Sequence, residues 1–174
     1  MFKIEELIRT TRFSLRAVSG YTKSLKAYVF LHDLASTGKK VGILPFRTVN
    51  EDYHEFEYML HSEIIPCWSM SAEKMLFVSG GTSQHDSMVD LAIDQFNVLT
   101  GYEVNESQLI SLGNCRVSRY SDTICHLYTL DLTNVSCSSR PASDDVKWVY
   151  NPTKSLDPLV SVAYWKLKNY LYEL

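Results

Sequence analysis

Asp86, Asp90 and Asp94 recur at i, i+4 and i+8, so on a helix their carboxylates share one face. Such a stripe, with His85 beside its first member, offers hard oxygen donors to a divalent cation. The competing structural reading is a solvated acidic face near a helix N-terminus, where the dipole favours aspartate. Just upstream, Gly80-Gly81 forms a tight loop after an apolar run and is a candidate ligand contact. Arg47, Arg116, Arg119 and Arg140 are candidates for phosphate contacts, and Phe46, Tyr53, Trp68 and Tyr120 for stacking on a base. The alternative for each is a surface arginine or a core aromatic.

Other chemistries find no support. The histidines at 32, 54, 61, 85 and 126 include no i, i+4 pair and no HExxH, which argues against a zinc hydrolase. His126 lies in an apolar run and reads as a hydrogen-bonded core residue. Cysteines stand at 67, 115, 125 and 137 without CxxC spacing, so a zinc ribbon is not expected. They read as reduced, mostly buried thiols of a cytoplasmic protein. Nothing around Cys67 supports a nucleophilic dyad. There is no P-loop, no GxGxxG after a strand and no GxSxG.

The elements that must hold these residues follow from periodicity. Ile4, Leu7 and Ile8 fall one turn apart and predict a short amphipathic helix over 3–10. Runs 12–18, 26–32 and 41–49 read as strands, the last broken by Pro45. Residues 55–65 alternate with period two and suit a half-buried strand. The run 75–78 is a further strand. The clearest helix follows: Val89, Ala92, Ile93, Phe96 and Leu99 share one face, Ser87 with Asp90 forms a capping signal, and Thr100-Gly101 stops it. Segments 109–112, 124–132 and 146–150 read as strands, with a polar loop at 119–122 and a Ser-rich linker at 136–145. Leu159, Ala163, Leu167, Tyr170 and Leu174 mark a terminal helix. This mixed order points to an α/β/α sandwich on a mixed β-sheet, an α+β arrangement. We divide the chain into an N-terminal helix and lead-in strand, 1–25, and a main domain with the C-terminal helix, 26–174.

The segment from Gly80 to Tyr102 resembles a Nudix box. That signature runs Gly, five residues, Glu, seven residues, Arg-Glu, an aliphatic residue, any residue, Glu-Glu, any residue, Gly, and an aliphatic or aromatic residue. Gly80 and Gly101 keep the separation, Phe96 takes the aliphatic position and Tyr102 the last one. The strand before the glycine pair and the Ile110-Ser111-Leu112-Gly113 strand after the box are similar to family members, and the likeness spans residues 26–173. The charged letters differ. Asp86 stands for the first Glu, Asp94-Gln95 for Arg-Glu, and Val98-Leu99 for Glu-Glu. In the family those glutamates bind Mg²⁺ or Mn²⁺ and help activate the attacking water. Cleaving a diphosphate builds negative charge that the metal neutralises. Valine and leucine supply no ligand, and an amide is a neutral, weak one.

The resemblance therefore implies a degenerate member without a metal cofactor, acting by binding. The expected partner is another protein or a second copy, within a larger assembly, a viral one included, in the cytoplasm or a virion. A nucleotide-like ligand is the other candidate, contacted by Gly80, Gly81, Gln95, Arg47 and Arg119. Family precedents include domains that sense ADP-ribose and one that binds RNA without cleaving it. The alternative is an active Mg²⁺- or Mn²⁺-dependent pyrophosphohydrolase of nucleoside diphosphate derivatives, using Asp86, Asp90 and Asp94 with outside carboxylates such as Glu51, Glu55 or Asp122. Glu103 and Glu106, just past the box, could also donate, but their spacing is that of an ordinary polar surface.

Tyr164, Trp165, Tyr170 and Tyr172 crowd the last helix, which cannot bury all of them on one face. Tyr164, Trp165 and Tyr172 are the candidate partner surface, the alternative being a helix packed on two sides within the monomer. The rest of the composition sets bounds. The chain has 174 residues, 45% hydrophobic and 21% charged, ordinary for a globular protein and enough for a substantial core. Its net charge of −3 gives no bulk attraction to nucleic acid, and RNA is the least favoured ligand. No apolar run approaches the roughly 18–20 residues of a membrane helix. Charges from Lys3 to Lys26 leave no uncharged core for a signal peptide.

Overall fold

The computed structural model describes residues 3–9, 13–19, 28–33, 39–50, 54–64, 72–80, 87–118, 121–138 and 145–173. Three strands, β1 (Lys3–Arg9), β2 (Phe13–Ser19) and β3 (Tyr28–Asp33), form an antiparallel sheet in that order. The helix expected at 3–10 is therefore a strand. Seven residues are too few to sustain an isolated helix. Pairing with β2, Lys3 opposite Ser19 and Arg9 opposite Ser14, satisfies the backbone instead. A bulge between Glu6 and Ile8 breaks the alternation, and Ile4 and Leu7 are exposed, so the helix-like spacing reflects no buried stripe.

The larger sheet contains β4 (Lys39–Asn50), β5 (Glu55–Ile64), β6 (Ala72–Met75), β7 (Phe77–Gly80), β8 (Ile110–Arg116), β9 (Ile124–Asp131) and β10 (Val146–Val149). Its spine runs β10-β5-β4-β9-β8, with β6 on β5 and β7 on β4. The β4–β9 pair is parallel and the others are antiparallel. Pro45 does not break β4. On one side β4 pairs β7 as far as Ile43 and then β5 from Phe46, so the residue without an N–H falls where one neighbour hands over to the next.

Alternation along these strands sends side chains to two cores. Val41, Ile43, Met59, Phe77 and Leu130 lie under α1 (Met88–Thr100) with Ala92, Ile93 and Phe96. Leu44, Phe46, Tyr58, Leu60, Cys125 and Leu127 lie under α2 (Pro158–Tyr172) with Leu159, Val160, Ala163 and Leu167. The central strands are thus covered on both faces, and β5, expected to be half-buried, buries Tyr58, Met59 and Leu60 in succession. The result is an α/β/α sandwich on a mixed sheet, the α+β arrangement expected from the order of elements.

Candidate functional site

The ends of α1 are built as the spacing predicts. Ser87 Oγ accepts from the Asp90 N–H at 3.3 Å, and Gly101 ends the helix at φ 75°, its N–H donating to Asn97 O at 2.8 Å. Thr100 Oγ1 donates back to Phe96 O at 2.7 Å. Asn97 clasps the chain beyond the glycine: Nδ2 donates to Val104 O at 3.0 Å, and Oδ1 accepts from Val104 N–H at 3.1 Å. The box pattern allows any residue there, so its letters give no signal for the clasp.

Beneath α1, Phe96 is fully buried against Phe77. The outer face carries Asp90, Asp94 and Gln95, all exposed, and Val98, 68% exposed. Asp94, Gln95, Val98 and Leu99 line an open depression of about 370 Å³, while Leu99 leans partly on the core. Its described lining holds one carboxylate, one amide and two aliphatic side chains, so the described part of the wall is mostly apolar. Asp86, Gly81, Arg119 and His85 lie outside the described residues, as do Glu51, Tyr53, Cys67, Trp68, Tyr120 and Arg140. Gly80 ends β7, its backbone opposite Lys40. Among the described residues no three His, Cys, Asp or Glu side chains converge on one point.

Arg47 shares the α1 side of the sheet but is committed within the protein. Register sets it opposite Glu57, and its Nε and Nη2 donate to Glu57 Oε2 at 2.9 and 2.5 Å. Its guanidinium also lies 4.2 Å from the centre of the Trp148 ring. The same Glu57 raises the Tyr150 hydroxyl, by its charge and by a hydrogen bond. Tyr102 is raised too, by burial first and by Cys137, with Arg47 opposing. Glu57, Trp148 and Tyr150 were not singled out as candidates. The sequence Asn50-Glu51-Asp52, a turn signal between the strands expected at 41–49 and 55–65, is what could set Arg47 against Glu57; nothing local announces Trp148, which arrives through β10.

Phe46 is buried under α2, edge to face with Phe56 at 5.8 Å, so it belongs to the core and is removed from base stacking. Arg116, Glu55, Glu103 and Glu106 are exposed, and Asp122 and His126 are half-buried. On α2, Trp165 and Tyr172 are 60% and 77% exposed. Tyr164 instead turns inward, its ring 5.2 Å from Tyr58. Burial pushes the Cys125 thiol up to about 12 and raises Cys115 opposite it on β8, which disfavours the reactive thiolate at both.

No family model matches this chain, and no curated protein does. Solved structures share its fold. One is the crystal structure of an ADP compounds hydrolase, at TM-score 0.66 and 15% identity, covering 98% of this chain and 92% of that one. Another is the crystal structure of the complex between the C-terminal domain of mouse MUTYH and human PCNA, at TM-score 0.58 and 9% identity, covering 78% of this chain and 90% of that one. No helix among the described residues is long and apolar enough to cross a membrane.

Proposed function

We propose that this chain acts by binding a partner protein through the outer face of α1, and that this face is a catalytically degenerate Nudix box. The observation that carries the reading is the depression lined by Asp94, Gln95, Val98 and Leu99. These residues stand where the signature has Arg-Glu and Glu-Glu. A magnesium ion needs oxygen ligands in near-octahedral order and sheds water reluctantly. Two aliphatic side chains and an amide do not fit that demand. Asp90 and Asp94 remain, one turn apart and exposed, with no third acidic or imidazole group converging among the described residues. Without the ion, charge developing on a diphosphate goes unneutralised, and hydrolysis falls by many orders of magnitude.

An exposed valine at the rim of an apolar depression suits a protein surface better than a phosphate chain. Arg47 supports the same choice. Its charge is already matched by Glu57 and its plane by Trp148, so a phosphate would have to displace an existing ion pair. The two structural likenesses are compatible with either use of the fold: one neighbour is a hydrolase of ADP compounds, the other belongs to a complex with a protein.

The test has two arms. The protein is incubated with ADP-ribose, NADH, dinucleoside polyphosphates and nucleoside triphosphates in Mg²⁺ or Mn²⁺; no turnover above buffer is expected. Binding partners are then recovered with the parent protein and with Val98→Lys; loss of a specific partner from the variant alone is expected. Turnover that vanishes in Asp94→Ala would establish the hydrolase instead.

A further inference from the structure

On the opposite face of the sheet a second, narrower cavity opens beside the last turns of α2. It measures about 260 Å³, and its described lining is His54, Phe56, Lys168, Leu171 and Tyr172. The floor is apolar: Phe56 and Leu171 both pack on the α2 core. The wall carries a positioned cation. Lys168 Nζ lies 5.0 Å from the centre of the Tyr172 ring and 5.8 Å from that of Tyr164. Tyr164 is itself held against Tyr58. Hydrogen bonding to Tyr172 raises the ammonium above its usual pKa, against a lowering by burial, so it keeps its charge at neutral pH. Among the described residues no carboxylate pairs with it.

We propose that this cavity docks a partner peptide presenting an aromatic or branched aliphatic side chain next to a carboxylate. Three features select that chemistry. The volume falls below the roughly 300–1,000 Å³ of drug-sized ligand sites and suits one large side chain. One apolar floor and one fixed ammonium match one apolar body and one negative charge. A polyphosphate or nucleic-acid strand would need a row of cations. Here the described lining holds one ammonium, that of Lys168. The site lies across the sheet from α1 and stands whether or not the α1 face binds a protein.

The test uses the full chain labelled with ¹⁵N and two capped tetrapeptides, acetyl-Gly-Asp-Phe-Gly-amide and its Asn counterpart. The Asp peptide is expected to shift the amide signals of His54, Phe56 and Leu171, and the Asn peptide to bind at least about tenfold more weakly. Lys168→Met should erase that preference while leaving the residual Asn-peptide binding in place, and Tyr172→Ala should weaken both. Equal affinities for the two peptides would overturn the proposal, as would an unchanged preference in Lys168→Met or shifts confined to other surfaces. Free 3-phenylpropionate binding as tightly as the Asp peptide would also overturn it, in favour of a small organic acid.

Discussion

Phe96 of α1 meets Phe77 of β7 edge to face, with ring centroids 5.0 Å apart and planes at 83°. The contact seats the helix on the sheet and turns Asp94, Gln95 and Val98 outward together. Phe96 is fully buried, so Phe96→Ala leaves a cavity and unpairs the rings. A loss of about 3–5 kcal/mol is expected, read as a fall in the urea midpoint. A loss under about 1 kcal/mol would mean that α1 is seated by something else.

Val98 gives the opposite expectation. Its side chain is 68% exposed and contributes little to the fold. Val98→Lys should shift stability by no more than about 0.5 kcal/mol while abolishing partner capture. Thermal melts and co-precipitation measured on the same preparation separate the two effects.

The turn after α1 depends on backbone geometry. Gly101 sits at φ 75°, where an L side chain is strained, so Gly101→Ala should cost about 1–2 kcal/mol. Asn97→Ala removes both bonds to Val104, whose buried backbone groups would lose their partner, and about 1–3 kcal/mol is expected. Both losses appear in denaturant midpoints.

Asp157 caps α2, Oδ1 accepting from Leu159 N–H at 2.9 Å, and is almost fully buried. Burial raises its carboxyl above the usual 3.8, with the Leu159 and Leu76 backbone groups opposing. The folded chain therefore keeps that proton to higher pH than the unfolded chain. The stability this supplies is complete below pH 3.8 and is lost as pH rises through the folded pKa. Asp157→Asn keeps a capping oxygen and should flatten that acid-side slope. Asp157→Ala should cost about 1 kcal/mol at neutral pH through the lost cap. Urea midpoints across an acid-to-neutral pH series check both.

Local signals made α1 legible: Ser87, the apolar stripe through Phe96 and the glycine at 101 each act within one or two turns of the chain. At 3–9 three apolar residues fit either period over so short a stretch, and the pairing with β2 that makes it a strand is not written locally. Pro45 misled for a similar reason. Whether a missing N–H matters depends on which strand lies beside it, and there β7 has ended and β5 has begun. Arg47 is a candidate by residue type, but its commitment to Glu57 and Trp148 comes from the register of three strands. Tyr164 neighbours Trp165 and Tyr172 in the sequence pattern, yet its ring packs against Tyr58.

The most direct test of the central reading is calorimetric titration of the protein with Mn²⁺, paired with an assay of Mn²⁺-dependent ADP-ribose hydrolysis. The residues lining the α1 depression predict neither saturable binding there nor turnover above buffer. Saturable Mn²⁺ binding that disappears in Asp94→Ala, accompanied by turnover that disappears with it, would contradict the account.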